Sequence, residues 1–135
     1  MKVEISLVPF KHKNFPQLIE LLESNKYPNI ENIQMKTLPK VGYIAYMGGH
    51  PIACGFLRRV EGGFAQIDTL TSNAHFGSQI RHEGIKKVVD ALILEAKSLK
   101  LSGILALTAD QGILDRAKAL GFHDIFQSVI GLKLT

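Results

Sequence analysis

The sequence predicts an α/β fold, with a mixed, mostly antiparallel central sheet and helices on both faces. Three observations carry this expectation. Three strand-like stretches, residues 43–47, 52–60 and 64–71, follow one another with only glycine-bearing turns between them, the pattern of an antiparallel meander. A long amphipathic stretch comes next, with Ile85, Val88, Val89, Leu92, Ile93, Ala96 and Leu99 on one helical stripe. A compact apolar run, residues 104–107, then follows. A helix between two strands makes a crossover, which joins parallel neighbours and is right-handed.

The remaining elements follow in order. Val3, Ile5 and Leu7 alternate with polar residues, as in a first strand. Asn14 can cap a helix that carries Pro16 in its first turn and Phe15, Leu18, Ile19 and Leu22 along one face. Residues 24–39 are less regular, and Ile30, Ile33 and Met35 suggest a short helix or an ordered loop. Gly48-Gly49-His50-Pro51 and Glu61-Gly62-Gly63 are the meander turns. Ser102-Gly103 is placed to end the long helix. The run 104–107 has the character of a strand buried on both faces. Asp110 can cap a further helix with Ile113, Leu114, Ala117 and Leu120 on its apolar side, and Gly121 stands where a left-handed C-terminal residue is wanted. Residues 126–134 complete the pattern as a last strand. Its apolar residues would make an exposed sheet edge sticky, so a homodimer through it is expected.

Composition narrows the function classes. A chain of 135 residues, 46% of them hydrophobic, supports one domain spanning 1–135. A pI of 9.3 and a net charge of +4 favour an anionic partner only weakly. No Arg-rich run with interleaved aromatics is present and there is no Trp, which argues against nucleic acid. The single Cys54 excludes an internal disulfide and a multi-cysteine zinc site. The first residues lack a signal-peptide apolar core and no apolar run reaches membrane-spanning length, so the expected setting is the cytoplasm, with no membrane partner.

The chemistry centres on Arg81-His82-Glu83-Gly84-Ile85-Lys86, which the periodicity places at the start of the long helix. The first N–H groups of a helix lack intrahelical partners and sit at the positive end of its dipole. Gly84 has no side chain to keep a ligand from the backbone. The segment is therefore a candidate phosphate cradle.

That element order, with this glycine-bearing helix start after the strand 64–71, resembles the GNAT superfamily of acyl-CoA N-acyltransferases over nearly the whole chain. The family signature is Gln/Arg-x-x-Gly-x-Gly/Ala. Arg81 and Gly84 match it, and Lys86 departs from it at the sixth position. Leu120-Gly121-Phe122 matches a second family feature near the last helix. The resemblance implies acetyl-CoA as co-substrate, with its pyrophosphate held by backbone N–H groups from His82 to Lys86 and its pantetheine arm paired near Leu70 and Thr71. It also implies direct attack of an amine on the thioester, with a backbone N–H near Leu70 stabilising the oxyanion. The acceptor would be an amine-bearing small molecule or a protein amine, bound against residues 15–39 and the loop between the last two strands. Lys86 would clash with the coenzyme, contact a phosphate, or lie in solvent.

Proton chemistry has one leading candidate. Asp68 falls on the face of its strand shared by Gln66 and Leu70, where a carboxylate beside a half-apolar cleft can accept a proton; the alternative is an ordinary polar strand residue. His75 and His82 flank the cradle and are secondary candidates. Cys54 is expected to be a small buried residue. Many family members place a Tyr four residues before the Gly of Leu-Gly-Phe, where it protonates the departing thiolate. Ala117 holds that place here, and Tyr43 and Tyr46 either supply a hydroxyl or pack in the sheet. Two readings follow: an N-acetyltransferase, or a catalytically weak or inactive acyl-CoA-binding or protein-interaction module of the same fold.

Overall fold

The computed structural model describes residues 4–106 and 111–123. Five strands form one sheet in sequence order: β1 (Ser6–Pro9), β2 (Val41–Met47), β3 (His50–Val60), β4 (Phe64–Ser72) and β5 (Gly103–Ala106). The first four pair antiparallel, and β4 pairs parallel with β5. Three helices accompany them: α1 (Phe15–Ser24), α2 (Ser78–Ser98) and α3 (Gln111–Ala119). The expected mixed sheet with helices on both faces is what the chain forms. The strand expected over residues 126–134, and the dimer edge with it, lies outside the described residues, as do Asp110 and Leu107.

The alternation of β3 divides the core between two layers. Ala53 and Leu57, with Ala45, Ala65 and Ile67, meet the stripe Ile85, Val88, Val89, Leu92 and Ala96 of α2. Cys54 and Phe56, with Ile44, meet Leu18, Leu21 and Leu22 of α1. Ile30, Ile33 and Leu38 close over this second layer from the segment between α1 and β2. That segment contains two single 3₁₀ turns, Ile30–Asn32 and Met35–Thr37, rather than a helix.

Several boundaries differ from expectation, each for a local reason. Asn14 does stand at the start of α1, but its side chain does not cap the helix. Its Oδ1 accepts from the Lys11 N–H at 2.9 Å and its Nδ2 donates to the Tyr46 hydroxyl at 2.8 Å. Pro51 belongs to β3, not to the preceding turn, which contains only Gly48 and Gly49 at positive φ. The long helix ends before Ser102-Gly103: Lys100 takes the left-handed role at φ 59, and the Leu101 N–H reaches back to the Ala96 carbonyl. At the end of α3 the expectation holds. Gly121 has φ 100, and the N–H groups of Gly121 and Phe122 donate to Lys118 and Ala117. β5 is half-buried rather than enclosed on both faces.

Candidate functional site

The start of α2 decides which amides can hold an anion. The helix begins at Ser78, three residues before the sequence pattern puts it, with Gly77 as its extended N-cap at φ −67 and ψ 161. The Arg81 N–H already donates to the Gly77 carbonyl at 3.1 Å. His82, Glu83, Gly84, Ile85 and Lys86 therefore occupy the second turn, where i→i−4 bonds consume their N–H groups. The expectation that these five amides form the cradle is corrected. At the start of α2, the amides left without an acceptor are those of Gly77, Ser78, Gln79 and Ile80. Gly77, Ser78 and Gln79 are exposed, and a Cβ on Gly77 would meet open space.

Gly84 serves a different purpose. It is buried, and a Cβ there would lie 2.6 Å from Ile52 Cγ2 and 3.2 Å from Ala53 Cβ. Its missing side chain lets the helix backbone close onto β3, and does not admit a ligand. Ile85 is a core residue at 1% exposure. Glu83 is exposed and His82 half-buried. Lys86 is exposed and pairs with Asp90 one turn on, Nζ to Oδ2 at 3.2 Å.

Arg81 works as a strut. Its Nε donates to Ser72 Oγ at 2.9 Å and its Nη2 to Asn25 Oδ1 at 3.4 Å. Asn25 Nδ2 in turn donates to the Ser72 carbonyl at 2.6 Å and to Thr71 Oγ1 at 3.2 Å. These bonds tie the end of β4 to the end of α1 and to the first turn of α2. The loop between β4 and α2 is ordered by Asn73. Its N–H and Nδ2 donate to the Ile52 and Pro51 carbonyls, and its Oδ1 accepts from the His75 N–H. The free amides of α2 are thus presented on a fixed loop. His75 itself is exposed beside that loop.

A bulge interrupts β4 a few residues before the cradle. Cys54 pairs with Thr71 and Phe56 with Asp68, so Gly55 alone opposes Thr69 and Leu70. Thr69 has φ 52, a left-handed conformation that a β-branched residue rarely adopts. The extra residue reverses the alternation. Asp68 lies on the α1 face with Phe56, whereas Leu70 packs with Val88 and Leu92 over Gly55 on the α2 face. The expected shared face of Asp68 and Leu70 is therefore corrected, while Gln66 and Asp68 do share one. The described pairing of β4 with β5 covers Phe64 to Ile67, so the bulge has no β5 partner among the described residues.

Asp68 has both carboxylate oxygens engaged. Oδ2 accepts from Arg58 Nε at 2.8 Å and Oδ1 accepts from the Thr69 hydroxyl at 3.0 Å. It stands in an ion pair, not in an open apolar cleft, and this geometry does not favour the role of free proton acceptor. Each of the two tyrosine hydroxyls has a hydrogen-bond partner in the fold. The Tyr46 hydroxyl is bonded to Asn14, and that of Tyr43 donates to Glu95 at 3.5 Å. Burial raises both phenols above their ordinary value, helped at Tyr43 by the Glu95 charge and opposed at Tyr46 by the Asn14 bond. Cys54 is fully buried, and burial pushes its thiol well above the ordinary range. Among the described residues no group of three or more His, Cys, Asp or Glu is placed to hold a metal ion. No helix among them is long and apolar enough to cross a membrane.

Sequence reasoning missed the Gly77–Ile80 amides and the Thr69 bulge. The first had a signal: Gly and Ser are both acceptable at a helix start, and four apolar-poor residues before Arg81 still allow helix. The second had none, because a bulge is a property of two strands in register.

The architecture is that of the GNAT acetyltransferases. A GNAT-family acetyltransferase from Staphylococcus aureus MU50 superposes with a TM-score of 0.73 at 17% identity, over 97% of this chain and 94% of that one. An acetyltransferase from Trypanosoma brucei gives 0.70 at 14% identity, over 97% and 100% of the two chains. An aminoglycoside N-acetyltransferase solved in complex with CoA gives 0.68 at 12% identity, over 98% and 97%. No protein-family model matches the sequence, and no curated protein matches it.

Proposed function

We propose that the protein is an acyl-CoA-dependent N-acyltransferase that transfers an acetyl group from acetyl-CoA to a primary amine. One observation carries the reading: four acceptorless amides, Gly77 to Ile80, stand at the positive end of a 21-residue helix directly after a bulged strand. They suit a diphosphate, since Gly77, Ser78 and Gln79 are exposed and the space over Gly77 is open. Bound there, acetyl-CoA would supply an activated thioester carbonyl. The chain supplies position. The Gly77–Ile80 amides hold the anionic end, and the β4 backbone from Thr69 to Thr71 pairs with the arm. The bulge presents backbone N–H groups to the developing oxyanion. The acceptor amine enters from the α1 side and attacks the carbonyl directly. No side chain is assigned as general base, so the amine reaches the site neutral or loses its proton to water. The thiolate leaves without a tyrosine donor, which its stability as a leaving group permits.

The second reading, a binding or protein-interaction module with weak or no turnover, is favoured by Ala117 and by the Tyr43 hydroxyl, whose proton is donated to Glu95. Calorimetric titration with acetyl-CoA, followed by a thiol-release assay over a panel of primary amines, separates the two. Binding with thiol release supports the transferase. Binding without release from any amine supports an acyl-CoA-binding module, and absence of binding at high ligand concentration overturns the transferase and leaves a protein-interaction module.

A further inference from the structure

We propose that Arg58 is a positioning residue of the acyl-transfer site, clamping the β4 bulge to the Met35–Thr37 turn; the inference rests on the transferase reading above. Three bonds define the clamp. Arg58 Nε donates to Asp68 Oδ2 at 2.8 Å, Arg58 Nη2 donates to the Thr37 carbonyl at 3.1 Å, and Thr69 Oγ1 donates to Asp68 Oδ1 at 3.0 Å. One guanidinium thus joins three chain segments: β3, the bulge of β4 and the wall between α1 and β2.

The strained residue gives the clamp its purpose. Thr69 at φ 52 is held in a conformation glycine would adopt more easily. Its hydroxyl is what glycine lacks, and that hydroxyl is bonded into the clamp. Strain of this kind persists where the surroundings over-determine it, and it gathers at functional sites. Stability alone is a poor reason for the arrangement. The Arg58 side chain is 47% exposed, and ion pairs at such positions contribute little to folding. Geometry is a better reason. The bulge offers the backbone that faces the thioester, and the Met35–Thr37 turn lies on the side from which the amine comes. A guanidinium fork holds two acceptors at fixed angles, which a lysine ammonium does not. Arg58 therefore sets the distance between donor and acceptor halves of the site.

The test uses Arg58→Met, Arg58→Lys and Thr69→Gly in the full chain. Acetyl-CoA affinity is measured by calorimetry, turnover by thiol release with a lysine-containing peptide, peptide α-amines and small diamines, and stability by thermal unfolding. Acetyl-CoA affinity should change far less than kcat in Arg58→Met, because the Gly77–Ile80 amides are untouched and only the arm's pairing with the bulge is loosened. The value of kcat should fall roughly 10- to 100-fold, as expected when reacting groups are misplaced by about 1 Å. Arg58→Lys should not restore it. Thr69→Gly and Arg58→Met should be non-additive in unfolding midpoint, since both act on the same bulge. Unchanged kcat and KM in Arg58→Met, or full rescue by lysine, overturns the positioning role. A wild-type protein that turns over no amine overturns the transferase reading instead. The clamp is then judged by the double-variant cycle, where additivity overturns it and coupling upholds it.

Discussion

The first and second turns of α2 are chemically near neighbours and functionally opposite. In the first, the amides of Gly77 to Ile80 have no acceptor, and Gly77, Ser78 and Gln79 are exposed. In the second, the amides from Arg81 onward are spent inside the helix, and Gly84 is pressed against Ile52. The same residue type, glycine, stands in both turns. Gly77 leaves room for a ligand outside the protein, and Gly84 makes room for β3 inside it. A glycine near a helix start thus has two readings, and the helical register tells them apart.

The strongest way to break this comparison is Gly84→Val. Ile52 is fully buried and its Cγ2 is fixed to the strand, so the new side chain cannot be accommodated without moving α2. Urea unfolding should show a loss of about 1–3 kcal/mol, the usual cost of overpacking a core. The folded fraction should still bind acetyl-CoA. Unchanged stability with lost affinity would instead place Gly84 against the ligand. Ser78→Pro addresses the first turn. Proline suits the first helical position and Gly77 already has the extended backbone that must precede it. The variant removes one amide while keeping the helix, and acetyl-CoA affinity should fall about tenfold, the worth of one hydrogen bond to a charged group. Equal affinity in the two proteins would remove Ser78 from the cradle.

A third expectation concerns the core behind both turns. The Cys54 thiol stays protonated in the fold well above its ordinary value of 9.0, whereas the unfolded chain ionises there. The unfolded state then binds fewer protons, so stability present below pH 9 should be lost as pH rises beyond it, at up to about 1.4 kcal/mol per pH unit. Chemical denaturation of wild type and Cys54→Ala between pH 8 and 10.5 checks the slope; parallel curves would mean that Cys54 contributes nothing to it. Lys86→Ala should have the smallest effect. Its ion pair with Asp90 is exposed, so both stability and acetyl-CoA affinity should change by less than about 0.5 kcal/mol. A tenfold loss of affinity would return Lys86 to the phosphates.

Much of the fold was legible because it depends on local patterns. Gly62 and Gly63 at positive φ announce the β3–β4 hairpin, and the stripe from Ile85 to Ala96 announces a helix packed on a sheet. The helix start was misread because Ser78, Gln79 and Ile80 carry no strong amphipathic pattern, while Arg81 and Gly84 fall at a family spacing. Their spacing matched although their amides are spent. Residues 24–39 resisted reading because their order comes from side chains such as Leu38 and Ile33 settling on the core layer shared by α1 and the sheet, not from helical repetition. Arg58 and Asp68 were legible only as two charges. Their pairing, and the extra residue Thr69 that turns Leu70 to the other face, belong to the register between strands.

The contact between Gly84 and Ile52 lies close to one end of a helix that runs on for fourteen further residues, to Ser98. It acts as a fulcrum. Rotation or swing of the rod is suppressed near the anion-facing tip and grows with distance from it, so slow amide exchange with deuterium should be deepest around residues 84–89 and relax toward Ser98. A close backbone contact one turn beyond Gly77–Ile80 thus fixes where the start of the helix stands on the sheet.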